Sequence, residues 1–287
     1  MTNSMNQTDK LYNKLVNCKE NTIFPVKKHG KVNNPVVIYD ADGTILDLVE
    51  GTHWMAAINL LDDEAKSRIK NRIKVLENSS DLFSQQYLSA SSIQELLATG
   101  IDLDYAAKKV RLREGIDDLM RNLAGQNISQ IILSHGFTDI LEKVLKVNGI
   151  DFIKVYSNVF PEGVKLDKSF IPPYETLEEM KNSGDYFQEI VKGMKVVPNT
   201  KGDVLQSLGY EQTTIISLGD SIGDIDMFKD TQALGGISIL HTHYDKGEFS
   251  LTKDHFKLLI PHLSYISVNS TDQSFKPSGK LVLDLLT

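Results

Sequence analysis

The chain alternates short apolar runs with longer stretches in which apolar residues recur every three or four positions. Val36–Tyr39, Ile128–Leu133, Val155–Asn158, Thr213–Leu218 and Gly235–Leu240 are short runs beside turn or polar residues, which predicts buried strands. Tyr265–Val268 is predicted as a last, edge strand. The helical period appears at Leu11, Tyr12, Leu15 and Val16 in an otherwise polar arm, residues 1–34. It returns at Ile116, Leu119, Met120 and Leu123, and at Ile140, Val144 and Leu145. Lys280–Leu286 predicts a closing helix, and the polar stretch Glu175–Met194 is also predicted to be mostly helical.

Glu50–Val110 breaks the strand pattern. Trp54, Met55, Ile58 and Leu61 form one apolar stripe, Ile69, Ile73 and Leu76 a second, and Leu82, Phe83 and Tyr87 open a third. Ser92 and Glu95 have the spacing of a capping box. The segment therefore predicts a helical insertion directly after the first strand of the sheet. Its aromatic residues are expected to pack inside that insertion, with Trp54, Phe83 and Tyr87 as the ones available to face a ligand.

Composition narrows the setting. The 287 residues can bury a sizeable core. The formal net charge of -7 argues against a nucleic-acid polymer or an anionic membrane as main partner. One cysteine, Cys18, forbids an intrachain disulfide and reads as a free structural thiol in a reducing compartment, the cytoplasm. No apolar run is long enough to span a bilayer, and Met1–Lys10 lacks a signal-peptide core. Lys27–Lys31 reads as a solvated connection. The composition leaves the oligomeric state open.

The candidate chemistry gathers where strands end. Val36–Tyr39 delivers Asp40 and Asp42, and Gly43-Thr44 then turns the chain. In a parallel α/β sheet ligands bind just outside the carboxyl ends of the strands. Asp40 suits a nucleophile that also binds a metal, and Asp42 suits proton transfer. Ser134-His135-Gly136 follows the second strand, where a hydroxyl and backbone amides can grip a phosphate. Ser134 also fits an N-cap, and His135 either fills a turn position or lies near a substrate. Lys201 opens a helix, with Lys192 and Lys195 as rival cations. Gly219-Asp220-Ser221-Ile222-Gly223-Asp224 ends the fourth strand in a cluster of oxygen ligands that suits Mg²⁺. Asp226 is expected to cap a helix, and His241 and His243 to lie in a loop.

Asp40-Ala41-Asp42-Gly43-Thr44 resembles motif I of the haloacid dehalogenase-like (HAD) phosphohydrolases. Gly-Asp-x-x-x-Asp at 219–224 resembles motif IV, and Ser134 and Lys201 stand where motifs II and III belong. The resemblance covers about Asn34 to Val268. It implies a doubly wound parallel, Rossmann-like sheet at 35–48 and 111–287, with a helical cap at 49–110. Within the family, the phosphoserine phosphatase and cytosolic pyrimidine 5′-nucleotidase branches are similar. Leu112–Gly115, Thr138–Glu142, Ser157-Asn158 and Ile215–Asp224 add to the nucleotidase likeness. That branch commonly has Met where this chain has Gly43, and Ala where it has His135.

The resemblance implies an Mg²⁺-dependent phosphomonoesterase acting on a small phosphorylated metabolite, a nucleoside 5′-monophosphate among the candidates. It makes Asp40 the nucleophile and Asp42 the acid and base. Asp40, Asp220 and the carbonyl of Asp42 would hold the metal, with Asp224 binding a metal-bound water or Lys201. Ser134, His135, Gly136 and Lys201 would meet the phosphoryl group. A phosphotransferase or mutase on the same site, or an idle binding protein on this scaffold, are the alternatives.

Overall fold

The computed structural model describes residues 7–18, 20–47, 53–77, 92, 96, 100–159, 200–210, 213–245, 248–249, 251–269 and 274–286. Its strands are β1 (Thr22–Pro25), β2 (Val36–Tyr39), β3 (Ser129–Phe137), β4 (Lys154–Asn158), β5 (Ile215–Gly219), β6 (Ile237–Asp245), β7 (Glu248–Phe249) and β8 (Tyr265–Asn269). They form one sheet in the order β1-β8-β6-β5-β2-β3-β4, with β7 paired off this path to β6. The pairs from β8 through β4 are parallel, and β1 and β7 are antiparallel to their partners.

The sheet is covered on both faces, as its near-continuous apolar strands require. Successive side chains of a strand point to opposite faces. Val37, Tyr39, Ile132, Ile216, Leu218, Ile237 and Ile239 join one buried cluster with Leu119, Leu123, Ile140 and Val144. Val36, Ile38, Ile131, Leu133, Ile215 and Leu240 join the other, with Leu205, Met227, Phe228 and Phe256. The helices Ile116–Gly125 and Thr138–Val147 thus cover one face, and Lys201–Ser207, Ile225–Ala233 and Lys253–Leu259 the other. The predicted doubly wound α/β architecture is observed.

Between β2 and β3, the described parts of the predicted helical insertion are the helices His53–Ile58, Asp63–Glu77 and Leu103–Ala107. Asp102 caps the last of these by accepting the amides of Asp104 and Tyr105. Ala56, Ala57, Ile58, Ala106 and Ala107 are buried in the same apolar cluster as Tyr39 and Phe137. Leu82, Phe83, Tyr87 and Glu95, the turn-rich stretch 160–174, the helix predicted at 175–194, Lys192 and Lys195 lie outside the described residues, as do the side chains of Trp54, Ile73 and Leu76.

Several boundaries differ from the expectation. β8 is not the edge strand: β1 pairs with it from Thr22↔Val268 to Pro25↔Tyr265. Four residues inside a polar arm carried too little apolar pattern to announce that strand. β3 continues through Ser134, His135 and Gly136 to Phe137, with a register irregularity between Leu133 and Phe137. β6 runs on through His241 and His243, which are buried strand residues rather than loop residues. Lys253–Leu259 is a helix that the sequence pattern did not announce, and the closing helix begins earlier, at Lys276. The predicted arm helix is present at Gln7–Val16. It seats Leu15 in the core and lets the Tyr12 hydroxyl donate to the Leu251 carbonyl at 2.9 Å. Cys18 is free.

Candidate active site

The site forms where β2, β3 and β5 end side by side. Asp40 follows β2, and its amide donates to the Leu218 carbonyl of β5 at 2.8 Å. This bond fixes Asp40 next to Asp220, the first residue past β5. Lys201 enters at the start of its helix and is 1% exposed. Its ammonium lies 2.5 Å from Asp40 Oδ1 and 2.5 Å from Asp224 Oδ1. The structure thus brings Asp40, Lys201, Asp220 and Asp224 together, as the order of motifs anticipated.

Asp224 is spent on holding this arrangement. One oxygen takes Lys201, and the other accepts the amides of Asp220 at 3.0 Å and Ser221 at 3.2 Å. Ser221 Oγ reciprocates by accepting the Gly223 amide at 3.3 Å, which closes a capping box over the turn. Of the two partners anticipated for Asp224, the observed one is Lys201. Asp226 does not cap the helix it opens. Its Oδ2 accepts the Gly202 amide at 2.8 Å, tying the Lys201 helix to the end of motif IV.

Gly43 makes the close approach of Asp220 possible. Its φ is +77°, and a Cβ there would stand 2.1 Å from Asp220 Oδ2. With Asp220 placed as it is, a Cβ here would meet its carboxylate, so a side chain at this position requires Asp220 to shift. Next to it, the buried Thr44 hydroxyl sits 3.3 Å from Asp40 Oδ2 and 3.5 Å from Asp220 Oδ1. Asp42 is half-buried at the same turn.

Crowding four acidic and basic groups in a dry place shifts their protonation. Burial pushes Asp40 up to about 7; Lys201 opposes the shift, and Asp224 and Asp42 add to it. Burial likewise holds Asp220 well above the usual carboxylate range, reinforced by Asp40 and Asp224 and opposed by Arg113 and Lys201. For Lys201, burial disfavours the ammonium, but Asp224 and Asp40 outweigh it and raise its pKa. The cluster is thus short of positive charge. Ligand oxygens of Asp40, Asp220 and Asp224 lie within 4.8 Å of one another. Carboxylates raised by burial and by mutual repulsion, with hard oxygen donors, fit a divalent cation such as Mg²⁺.

The other wall comes from β3. Ser134 is buried, and its Oγ accepts the Gly136 amide at 3.0 Å. His135 lies in the strand rather than filling a turn as expected, because the register irregularity prolongs β3 past Leu133. Buried Asn158, at the end of β4, donates to the His135 carbonyl at 2.9 Å. Ser157 and Thr138 share a hydrogen bond of 2.7 Å. The His135 imidazole is held neutral, its pKa well below 6.5, by burial and by the Lys201 ammonium.

Sequence reasoning did not single out Thr44, Asn158 or Arg113 as parts of this surround. Arg113 is 1% exposed, and its charge reaches both Asp220 and His241. Its signal was the Leu112–Gly115 stretch, noted only for its likeness to the nucleotidase branch, between the insertion and an apolar helix. His241 and His243 take no part in the carboxylate cluster. His241 is buried against Ser278, whose Oγ lies 2.8 Å from its Nδ1, and stacks on Phe275 at 5.0 Å. Among the described residues no helix is long and apolar enough to cross a membrane.

The fold is shared with solved structures, phosphatases among them. A phospho-aspartyl intermediate analogue of phosphoserine phosphatase is 16% identical with a TM-score of 0.52, over 89% of this chain and 100% of that one. A substrate-bound phosphoserine phosphatase complex is 16% identical, TM-score 0.51, over 91% and 100%. A gene product of Archaeoglobus fulgidus is 16% identical, TM-score 0.57, over 88% and 83%. No curated protein matches the chain. The family model of pyrimidine 5′-nucleotidase (UMPH-1) matches residues 60–252, beginning after the Asp40–Thr44 turn. That match spans more than half of the sequence, and the chain belongs to this family of HAD-type phosphatases.

Proposed function

We propose that this phosphatase is an Mg²⁺-dependent phosphomonoesterase that works through an aspartyl-phosphate on Asp40. Its substrate is a nucleoside 5′-monophosphate, a pyrimidine one first, because the matching family is that of pyrimidine 5′-nucleotidase. The observation that carries the reading is the Lys201 ammonium, locked 2.5 Å from Asp40 and 2.5 Å from Asp224 beside Asp220. Asp40, Asp220 and the Asp42 carbonyl would hold Mg²⁺, with Asp224 one shell out, bonded to Lys201. Bound there, the ion would neutralise the crowded carboxylates and draw charge from the phosphoryl oxygens.

Asp40 attacks phosphorus as the ester oxygen leaves, which divides one hard displacement into two easier ones. Asp42 gives its proton to the leaving oxygen. It then takes a proton from the water that attacks the aspartyl-phosphate, releasing phosphate and free Asp40. Lys201 spreads positive charge over the transferring group, while Ser134, His135 and Gly136 form the wall that grips it. Residues 49–110 would form a cap that shields the site and selects the alcohol. The helices inserted between β2 and β3 support this. A panel of phosphorylated metabolites, nucleoside monophosphates included, assayed with and without Mg²⁺, tests the reading. Hydrolysis of a nucleoside monophosphate only with the metal is expected. Metal-independent turnover, or no turnover of any member, overturns it.

A further inference from the structure

His135 stands out among the residues around the site. Its Nε2 is shielded from solvent and has no hydrogen-bond partner. A buried polar atom without a partner is costly, and such exceptions concentrate where a ligand completes them. The placement is specific. Asn158 fixes the backbone by donating to the His135 carbonyl at 2.9 Å. The register irregularity in β3 lies at this stretch, and irregularities of this kind re-aim side chains next to active sites. The ring reaches across to the turn between Asp220 and Asp224. A Cβ placed on Gly223 would touch its Cε1 at 3.6 Å and its Nδ1 at 3.9 Å. The Cε1–Nδ1 edge of the imidazole thus faces Gly223 of the turn, and Nε2 is the buried nitrogen without a partner.

We propose that His135 Nε2 donates a hydrogen bond to a non-bridging oxygen of the substrate's phosphoryl group, as a further catalytic residue. This rests on the phosphatase reading above and specifies one atom of its grip. The flanking groups favour an anion as the missing acceptor. Ser134 Oγ accepts the Gly136 amide at 3.0 Å, which leaves its O–H free to donate, and the Lys201 ammonium lies against two carboxylates. One residue along the same strand, Nε2 adds a second donor without a partner. A donor already stripped of water loses no hydration when the oxyanion arrives, and the local low dielectric strengthens the bond. Because it contacts the transferring group rather than the alcohol, its contribution is the same for every ester.

The test uses H135A, H135Q and H135N in the full chain. Glutamine places an amide N–H near the position of Nε2, whereas asparagine stops at the position of Nδ1. Two readouts are taken: binding of inorganic phosphate with Mg²⁺ by calorimetry, and kcat/KM for nitrophenyl phosphate and for a nucleoside monophosphate. H135A is expected to weaken both by about 10- to 100-fold, the factor carried by a hydrogen bond to a charged group. The loss should be equal for the two esters. H135Q should recover most of it and H135N little, a comparison that decides the matter even if H135A folds poorly. All three variants within twofold of the parent would overturn the proposal, and so would a loss confined to one ester. A parent chain that binds phosphate and hydrolyses esters, beside variants that do so equally well, overturns this proposal alone. A parent that does neither overturns the phosphatase reading together with it.

Discussion

The Lys201 ammonium lies 2.5 Å from Asp224 Oδ1, and both side chains are 1% exposed. Neither group meets bulk water, so each is the other's main compensation for burial. Asp224 also anchors the Asp220 and Ser221 amides through its second oxygen. Asparagine cannot replace it, since its Nδ2 must face either an ammonium or two N–H donors. Asp224→Asn should cost about 3–5 kcal/mol in urea unfolding, as breaking one side of a buried ion pair does. Phosphatase activity should fall with it. A loss below about 1 kcal/mol, the scale of an exposed pair, would show that the ion pair is not held as described.

Metal dependence follows from the carboxylates that burial and mutual repulsion raise. Chelation should abolish turnover and Mg²⁺ should restore it. Asp220→Asn should shift the Mg²⁺ titration to higher concentration, read by calorimetry as well as by activity. Full activity of chelated protein would rule the assignment out.

Gly43 gives a test that involves no charged atom. Alanine there must adopt φ +77° and place a Cβ 2.1 Å from Asp220 Oδ2. The backbone strain alone is worth about 1–2 kcal/mol. Displacement of Asp220 should then weaken Mg²⁺ binding at least tenfold. Thermal unfolding and metal titration of Gly43→Ala separate the two effects, and unchanged metal affinity would mean that Asp220 does not need Gly43 to hold its place.

Asp42 is tested by the leaving group. An alkoxide needs a proton and nitrophenolate does not. Asp42→Asn should slow phosphorylation of the enzyme by an alkyl phosphate by about 10²–10⁴-fold. With nitrophenyl phosphate the same step should slow far less, giving a burst of nitrophenol and then a stall with phosphate on Asp40. Asp40→Asn should give no burst with either substrate. Rapid quench on both variants distinguishes the roles; equal defects for both leaving groups would remove the acid role from Asp42.

His241 predicts a pH slope in stability. Burial, Arg113 and His243 hold its pKa well below 6.5 in the folded chain. Below pH 6.5 the unfolded chain therefore binds a proton that the folded chain refuses. Stability from this group is complete above about 6.5 and falls as pH drops toward its folded pKa, by up to about 1.4 kcal/mol per pH unit. Asp40, raised to about 7, works with the opposite sign. The readout is thus the difference between parent and His241→Gln in urea midpoints from pH 7.5 to 5. The variant should lack the acid-side decline due to His241, and parallel profiles would contradict the buried neutral state.

Much of this arrangement was legible in the residues because the signals were local. Val36–Tyr39 is apolar throughout and buried throughout, and Asp40 follows it by one residue. Lys201 could be named only from its position relative to the fourth strand, since its partners are 161 and 23 residues away. The failures have a common cause: polar residues whose partners come from distant segments. Strand β6 was cut short at Leu240 because histidines resemble loop residues, yet Ser278 and Asn269 meet Nδ1 of His241 inside the sheet. Strand β1 was missed because Thr22–Pro25 has little pattern of its own. It is a strand only because β8 offers an edge.

That edge has a bearing on how the chain assembles. Thr22–Pro25 and Tyr265–Asn269 are about 240 positions apart, some 12–50 s of ribosome time at ordinary synthesis rates. The arm must wait through that interval with Ile23 and Phe24 unpartnered, while β8 arrives with a ready row of open backbone groups. The amide of Val32 likewise awaits the Leu285 carbonyl, at 2.9 Å in the finished fold. An arm removed or delayed would leave β8 exposed to strands of other copies. Residues 22–25 therefore become the edge of the sheet in place of β8, and they can do so only after about 240 further residues have been made.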